Sequence, residues 1–129
     1  MKVVRILLVD DEEEIRRLLA RRLSRRGYAV TAATDSDQAL ALLAEGAFDL
    51  AILDFMMPGM NGLELAGHCR AQYPDLRILM LTGSPITAEI EAQGHVCLRK
   101  PLENLEELDR VIERLLASEG RNPGEGGGR

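Results

Sequence analysis

The feature that most constrains this fold is an alternation. Five short apolar runs take turns along the chain with stretches whose apolar residues recur at helical spacing. The runs are residues 3–9 (VVRILLV), 28–33 (YAVTAA), 50–53 (LAIL), 77–81 (RILML) and 95–99 (HVCLR). Each has the length of a strand, and nearly continuous apolarity marks strands covered on both faces. Between them lie the helical stretches. Glu12 to Arg26 carries Ile15, Leu18, Leu19 and Leu23 on one side and stops at Gly27, as a helix ending in a C′ glycine does. Asp35 opens a second helix, with Gln38 three residues on and Ala39, Leu40 and Leu43 facing inward, and Gly46 closes it. Asn61, followed by Glu64, has the spacing of a capping box. Ser84-Pro85 reads as N-cap and first-turn proline of a short helix ending at Gly94. A last helix runs from Leu102 to about Ala117, with Leu105, Leu108, Ile112 and Leu115 on its stripe.

Strand–helix alternation of this kind predicts an α/β fold: a doubly wound parallel five-stranded sheet with right-handed crossovers and helices on both faces. The 129 residues suit one domain. We expect the domain to fill residues 1–118 and a Gly-rich disordered tail to occupy 119–129. With no Trp and few aromatic residues the core must be aliphatic. No apolar run is long enough to span a membrane, and the N-terminus lacks the pattern of a signal peptide. The two cysteines, Cys69 and Cys97, make no disulfide framework. These features predict a cytoplasmic, reduced protein. A net charge of −5 argues against nucleic acid as a direct partner. Six arginines crowd between Arg16 and Arg26; the ordinary reading is a solvated helix face, and the sharper one a docking surface for an acidic partner.

In doubly wound sheets the ligand site lies at the carboxyl ends of the strands. The first predicted strand ends in Asp10-Asp11-Glu12, the third in Asp54, the fourth in Thr82-Gly83 and the fifth in Lys100-Pro101. Acids alone at a helix start could be simple dipole caps. Together, several carboxylates, a hydroxyl and an ammonium would meet in one crevice. Two like charges about 4 Å apart repel by about 4 kcal/mol at an effective dielectric near 20. A hard divalent cation offsets that, and Mg²⁺ takes one or two carboxylates together with waters and phosphate oxygens. A carboxylate can also act as the nucleophile toward a phosphoryl group. That would explain a lone acid, Asp54, at the end of a buried strand.

The motifs LLVDDE, LDFMMPGMNG, LTG and KP, in this order at strand ends, resemble the receiver domain of bacterial two-component response regulators over residues 2 to about 117. The resemblance implies a flavodoxin-like (βα)5 sheet with strand order 2-1-3-4-5. It implies that Asp54 accepts a phosphoryl group from a histidine kinase or histidine phosphotransfer protein. Asp11 and Asp54 would ligate Mg²⁺ with the backbone carbonyl of Met56, and Asp10 would act mainly through water. Lys100 and Thr82 would contact phosphoryl oxygens, and the amides of Met56 and Gly83 would complete the cradle. Pro58 and Gly59 would shape the loop after the acid, and a cis peptide would join Lys100 to Pro101. Such a domain is a phosphoacceptor in signalling rather than an enzyme acting on other molecules. It would be a monomer or weak dimer that passes its signal to a further protein.

Two departures stand out. Receivers carry an aromatic residue three positions before the lysine, where this chain has Cys97. The segment from Thr82 to Lys100 is also shorter than usual by about one helical turn. Both keep open a second reading, an interaction module indifferent to phosphorylation. Phosphatases with an aspartyl nucleophile place a second acid two residues later, where this chain has Met56. His68-Cys69 and His95-x-Cys97 match no zinc-site spacing. Met56, Met57 and Met60 read as packing residues.

Overall fold

The computed structural model describes residues 2–83 and 85–117. Ser84, expected to be an N-cap, and the expected tail lie outside the described residues. The elements alternate strictly: β1 (Arg5–Val9), α1 (Glu13–Arg25), β2 (Ala29–Ala33), α2 (Ser36–Glu45), β3 (Leu50–Asp54), α3 (Gly62–Gln72), β4 (Arg77–Thr82), α4 (Thr87–Ala92), β5 (Val96–Arg99) and α5 (Leu105–Ala117). All strand pairs are parallel, in the order β2-β1-β3-β4-β5. The expected architecture and strand order are both found.

The inner strands β1, β3 and β4 are buried nearly end to end, while the edge strands β2 and β5 are only partly so. Side chains alternate between two apolar layers, as strand period demands. Ile6, Leu8, Leu50 and Ile52 pack with Leu19 and Leu23 of α1 and with Leu108, Ile112 and Leu115 of α5. Leu7, Val9, Ala51 and Leu53 pack on the other face with Ala39 and Leu43 of α2, Leu65 and Cys69 of α3 and Ile90 of α4.

The expected helix signals have mixed outcomes. Asn61 and Glu64 form the reciprocal capping box, with bonds of 2.9 and 3.0 Å. Asp35 accepts from the Gln38 amide at 2.8 Å, but the Gln38 side chain accepts from the amide and hydroxyl of Thr34 instead of reaching Asp35. Gly27 follows α1 with φ +93, a conformation a side chain would strain. Helix α4 begins at Thr87 with Ile86 at its N-cap, so Pro85 is not in its first turn. Helix α5 begins at Leu105, not Leu102, because Asn104 accepts from the amides of Glu106 and Glu107 at 3.0 and 3.2 Å.

Two expectations about faces are corrected. The helical spacing puts Leu18 on the buried stripe of α1, but it is 47% exposed, in a depression lined by Arg21, Arg22 and Arg25. Met56, expected to pack, is 62% exposed, whereas Met57 is buried. The arginine cluster is also less uniform than a solvated face. Arg22 forms a two-point pair with the buried Asp109 of α5, at 3.2 and 2.5 Å. Arg26 reaches Asp109 and Glu113, and Arg16 donates to the Asp10 carbonyl at 2.9 Å.

Candidate phosphoryl-acceptor site

Register builds the site. Val9 pairs with Leu53 and Asp54 with Leu81, while Thr82 pairs with Arg99. One step past each pairing, the sheet delivers Asp10 beside Asp54 and Lys100 beside the end of β4. The backbone continues this row: Phe55 N–H donates to the Leu81 carbonyl at 2.9 Å, and Lys100 N–H to the Thr82 carbonyl at 2.8 Å. The peptide between Lys100 and Pro101 is cis, as expected.

Three carboxylates, Asp10, Glu12 and Asp54, have oxygens within 4.8 Å of one another, the group among the described residues that could hold a metal ion. Asp10 is fully buried and Asp54 3% exposed. The Lys100 ammonium sits among them, 2.8 Å from Asp10, 2.9 Å from Glu12 and 3.3 Å from Asp54. Asp10 is further held by the Glu12 amide at 2.8 Å. A cavity of about 690 Å³ opens over the cluster, lined by Asp11, Glu12, Asp54, Met56, Gly83 and Lys100 among others.

One ammonium does not neutralise three acids. Burial, with the charge of Asp10 behind it, pushes the Asp54 carboxyl from 3.8 up to about 6, against the pull of Lys100. Burial by itself lowers the Lys100 ammonium, but its contacts with Asp10 and Glu12 and the charge of Asp54 more than reverse this and leave it above its ordinary value. The donor set is all oxygen, anionic and short of positive charge. Those properties fit Mg²⁺.

Of the expected site residues, Asp10, Asp11, Asp54, Met56, Gly83 and Lys100 gather at this edge. Asp11 is exposed on the cavity wall and is not part of the tight trio. Thr82 is fully buried and does not line the cavity. Two participants carried no assigned role in the sequence. Glu12 was visible as the third acid of DDE, but its reach to Lys100 crosses 88 residues. Gly62 sits behind the acid: a Cβ there would lie 2.2 Å from the Asp54 carbonyl oxygen. The signal for it was a glycine immediately after an N-cap, where helix propensity disfavours one.

Cys97 stands beside Met80 in the register and packs partly buried against the α2–α3–α4 layer. Burial, aided by Glu91, pushes its thiol up to about 11, and burial pushes Cys69 up to about 12. Among the described residues, histidines and cysteines form no metal-holding group.

A family model described as the response regulator receiver domain matches residues 6–113. Response regulator MprA of Mycobacterium sp. (strain KMS) is 41% identical over 117 residues, covering 88% of this chain and 50% of that protein. The Mycobacterium leprae MprA is 40% identical over a similar span. The chain thus spans about half the length of the curated relatives it matches. Among solved structures, the Thermotoga maritima response regulator TrrA in complex with Mg²⁺–BeF superposes with a TM-score of 0.80 at 36% identity, covering 88% of this chain and 99% of that one. Chemotaxis protein CheY4 of Vibrio cholerae gives 0.78 at 36% identity, with 88% and 99% covered.

Proposed function

We propose, because this chain belongs to the response regulator receiver domain family, that Asp54 accepts a phosphoryl group from a phosphohistidine donor and that the domain thereby switches or relays a signal. An Asp54 carboxylate oxygen attacks phosphorus as the phosphorus–nitrogen bond of the donor breaks, and the histidine leaves with that electron pair. The observation that carries this reading is Asp54 itself. It is almost wholly buried at a strand end, yet it borders an open cavity with an ammonium 3.3 Å away.

Lys100 would neutralise a phosphoryl oxygen, and the amides of Met56 and Gly83, two residues that line the cavity, would donate to others. Thr82, one residue past the Asp54–Leu81 pair, would reach the phosphoryl group only by moving outward. Asp10, Asp11, Asp54 and the Met56 carbonyl would hold Mg²⁺. When bound, the ion supplies charge neutralisation for the acids and for the transferring phosphoryl oxygens. The donor would be a histidine kinase or histidine phosphotransfer protein and the receiver of the signal another protein, with neither nucleic acid nor membrane contacted by this domain. No helix among the described residues is long and apolar enough to cross a membrane.

The test is intact-mass spectrometry after incubation with acetyl phosphate and Mg²⁺. Wild type should gain one acid-labile phosphoryl group and Asp54→Asn none. Equal labelling of both would refute the assignment. An unlabelled wild type would favour an interaction module, the reading that the six-residue α4 and the small Cys97 side chain support.

A further inference from the structure

We propose that Glu12 is a positioning residue for Lys100, a latch whose carboxylate holds the ammonium until a phosphoryl oxygen displaces it. The proposal rests on the phosphoacceptor reading above. A lysine ammonium has three N–H donors, and here three carboxylates surround it, at 2.8, 2.9 and 3.3 Å. A phosphoryl oxygen therefore cannot simply be added; it must replace a partner. Asp10 is a poor candidate to yield, because its side chain is fully buried and a buried anion stripped of its cation is strongly unfavourable. Asp54 is the residue that would carry the phosphoryl group. Glu12 is 60% exposed at its side chain, so releasing it returns a carboxylate to water at little cost.

The main chain at Glu12 suits this role. Its amide is anchored on Asp10 and its carbonyl accepts the Arg16 amide at 3.0 Å. It occupies the N-cap of α1, yet its side chain makes no capping bond. The backbone is thus fixed while the side chain has no duty to the helix and is directed to Lys100. Glu13, the next acid, pairs instead with Arg17 at 3.1 Å, and supplies a control of equal charge in the same turn.

The experiment measures beryllofluoride affinity at fixed Mg²⁺ for wild type, Glu12→Gln and Glu13→Gln, alongside the ¹⁵N signal of the Lys100 ammonium in the free proteins. Glu12→Gln should tighten beryllofluoride binding about two- to fivefold, the range an exposed ion pair supplies, and should shift the Lys100 signal. Glu13→Gln should change neither. Equal effects from both variants would show a general charge effect and overturn the latch. Weaker binding by Glu12→Gln would overturn it too, since Glu12 would then be helping Lys100 toward the phosphoryl group. If wild type itself takes no beryllofluoride, the phosphoacceptor reading falls and the latch falls with it. If wild type binds and Glu12→Gln matches it, the latch alone is lost.

Discussion

Asp54→Asn should make the metal-free protein more stable at neutral pH, although it removes a partner of Lys100. The folded Asp54 carboxyl lies at about 6 instead of 3.8, a displacement equivalent to about 3 kcal/mol held against the fold when the group is ionised. The sign follows from which state binds the proton more tightly. The folded state does, so acidification from pH 7 toward 4 adds stability through this group, and the full penalty is present above about pH 7. At pH 7.5 in EDTA, Asn should therefore stabilise by about 2–3 kcal/mol; at pH 5 protonation of wild type should have removed about half of that penalty, and the gap should narrow accordingly. Urea unfolding at both pH values measures this, with the larger gap moving the midpoint by about 2 M for a domain of this size. A variant no more stable than wild type at pH 7.5 would show that the Lys100 pair outweighs burial beside Asp10. A gap that ignores pH would show that Asp54 is not the group responsible.

Other consequences can be checked on the same material. If Mg²⁺ binds as proposed and only to the native state, about ten times its dissociation constant should stabilise wild type by about 1.4 kcal/mol, and Asp11→Ala should sharply reduce that rise in melting temperature. Gly62→Ala should cost about 1–3 kcal/mol in urea unfolding, because its Cβ would displace the Asp54 carbonyl, and should slow labelling by acetyl phosphate. Beryllofluoride should change amide exchange more in the loops after β3 and β4 than across Val96 to Leu108, because Cys97 would be too small to fill the space left if Thr82 moved toward the bound group; equal or larger protection along β5 and α5 would defeat this.

The sheet was legible because its signals are local. A strand buried on both faces must be nearly all apolar, so the polar residue that ends it stands out, as Asp10, Asp54 and Thr82 do; Lys100 follows the half-buried edge strand β5 and stands out less. Local signals also located Gly27, Asp35 and Asn61, whose roles depend on neighbours within a turn or so. What stayed hidden depends on distance in sequence. Nothing near Leu18 reveals that it ends up 47% exposed, in a shallow depression it shares with Leu105 of α5. Nothing near Arg22 reveals Asp109, 87 residues away. The start of α5 was misplaced because Leu102 continues the apolar spacing, whereas the start is decided by one hydrogen-bonding side chain, Asn104. Glu12 is visible in the sequence as an acid, but its pairing with Lys100 spans 88 residues and leaves no local signal.

The register that assembles the site also decides where this chain tolerates being lengthened or opened. A strand advances about 3.3 Å per residue and reverses its side chains at every step. Losing one residue from β3 would withdraw Asp54 from Lys100 and exchange the two apolar layers along that strand, so deletions inside a strand should be lethal to fold and chemistry together. Although residues 46–49 at the opposite edge are tied down, with Asp49 bonded to Arg5 and Arg77 and Phe48 packed on the core, the connections running there from each helix into the next strand hold none of the groups that gather around Lys100. Insertions, or new termini made by circular permutation, belong there.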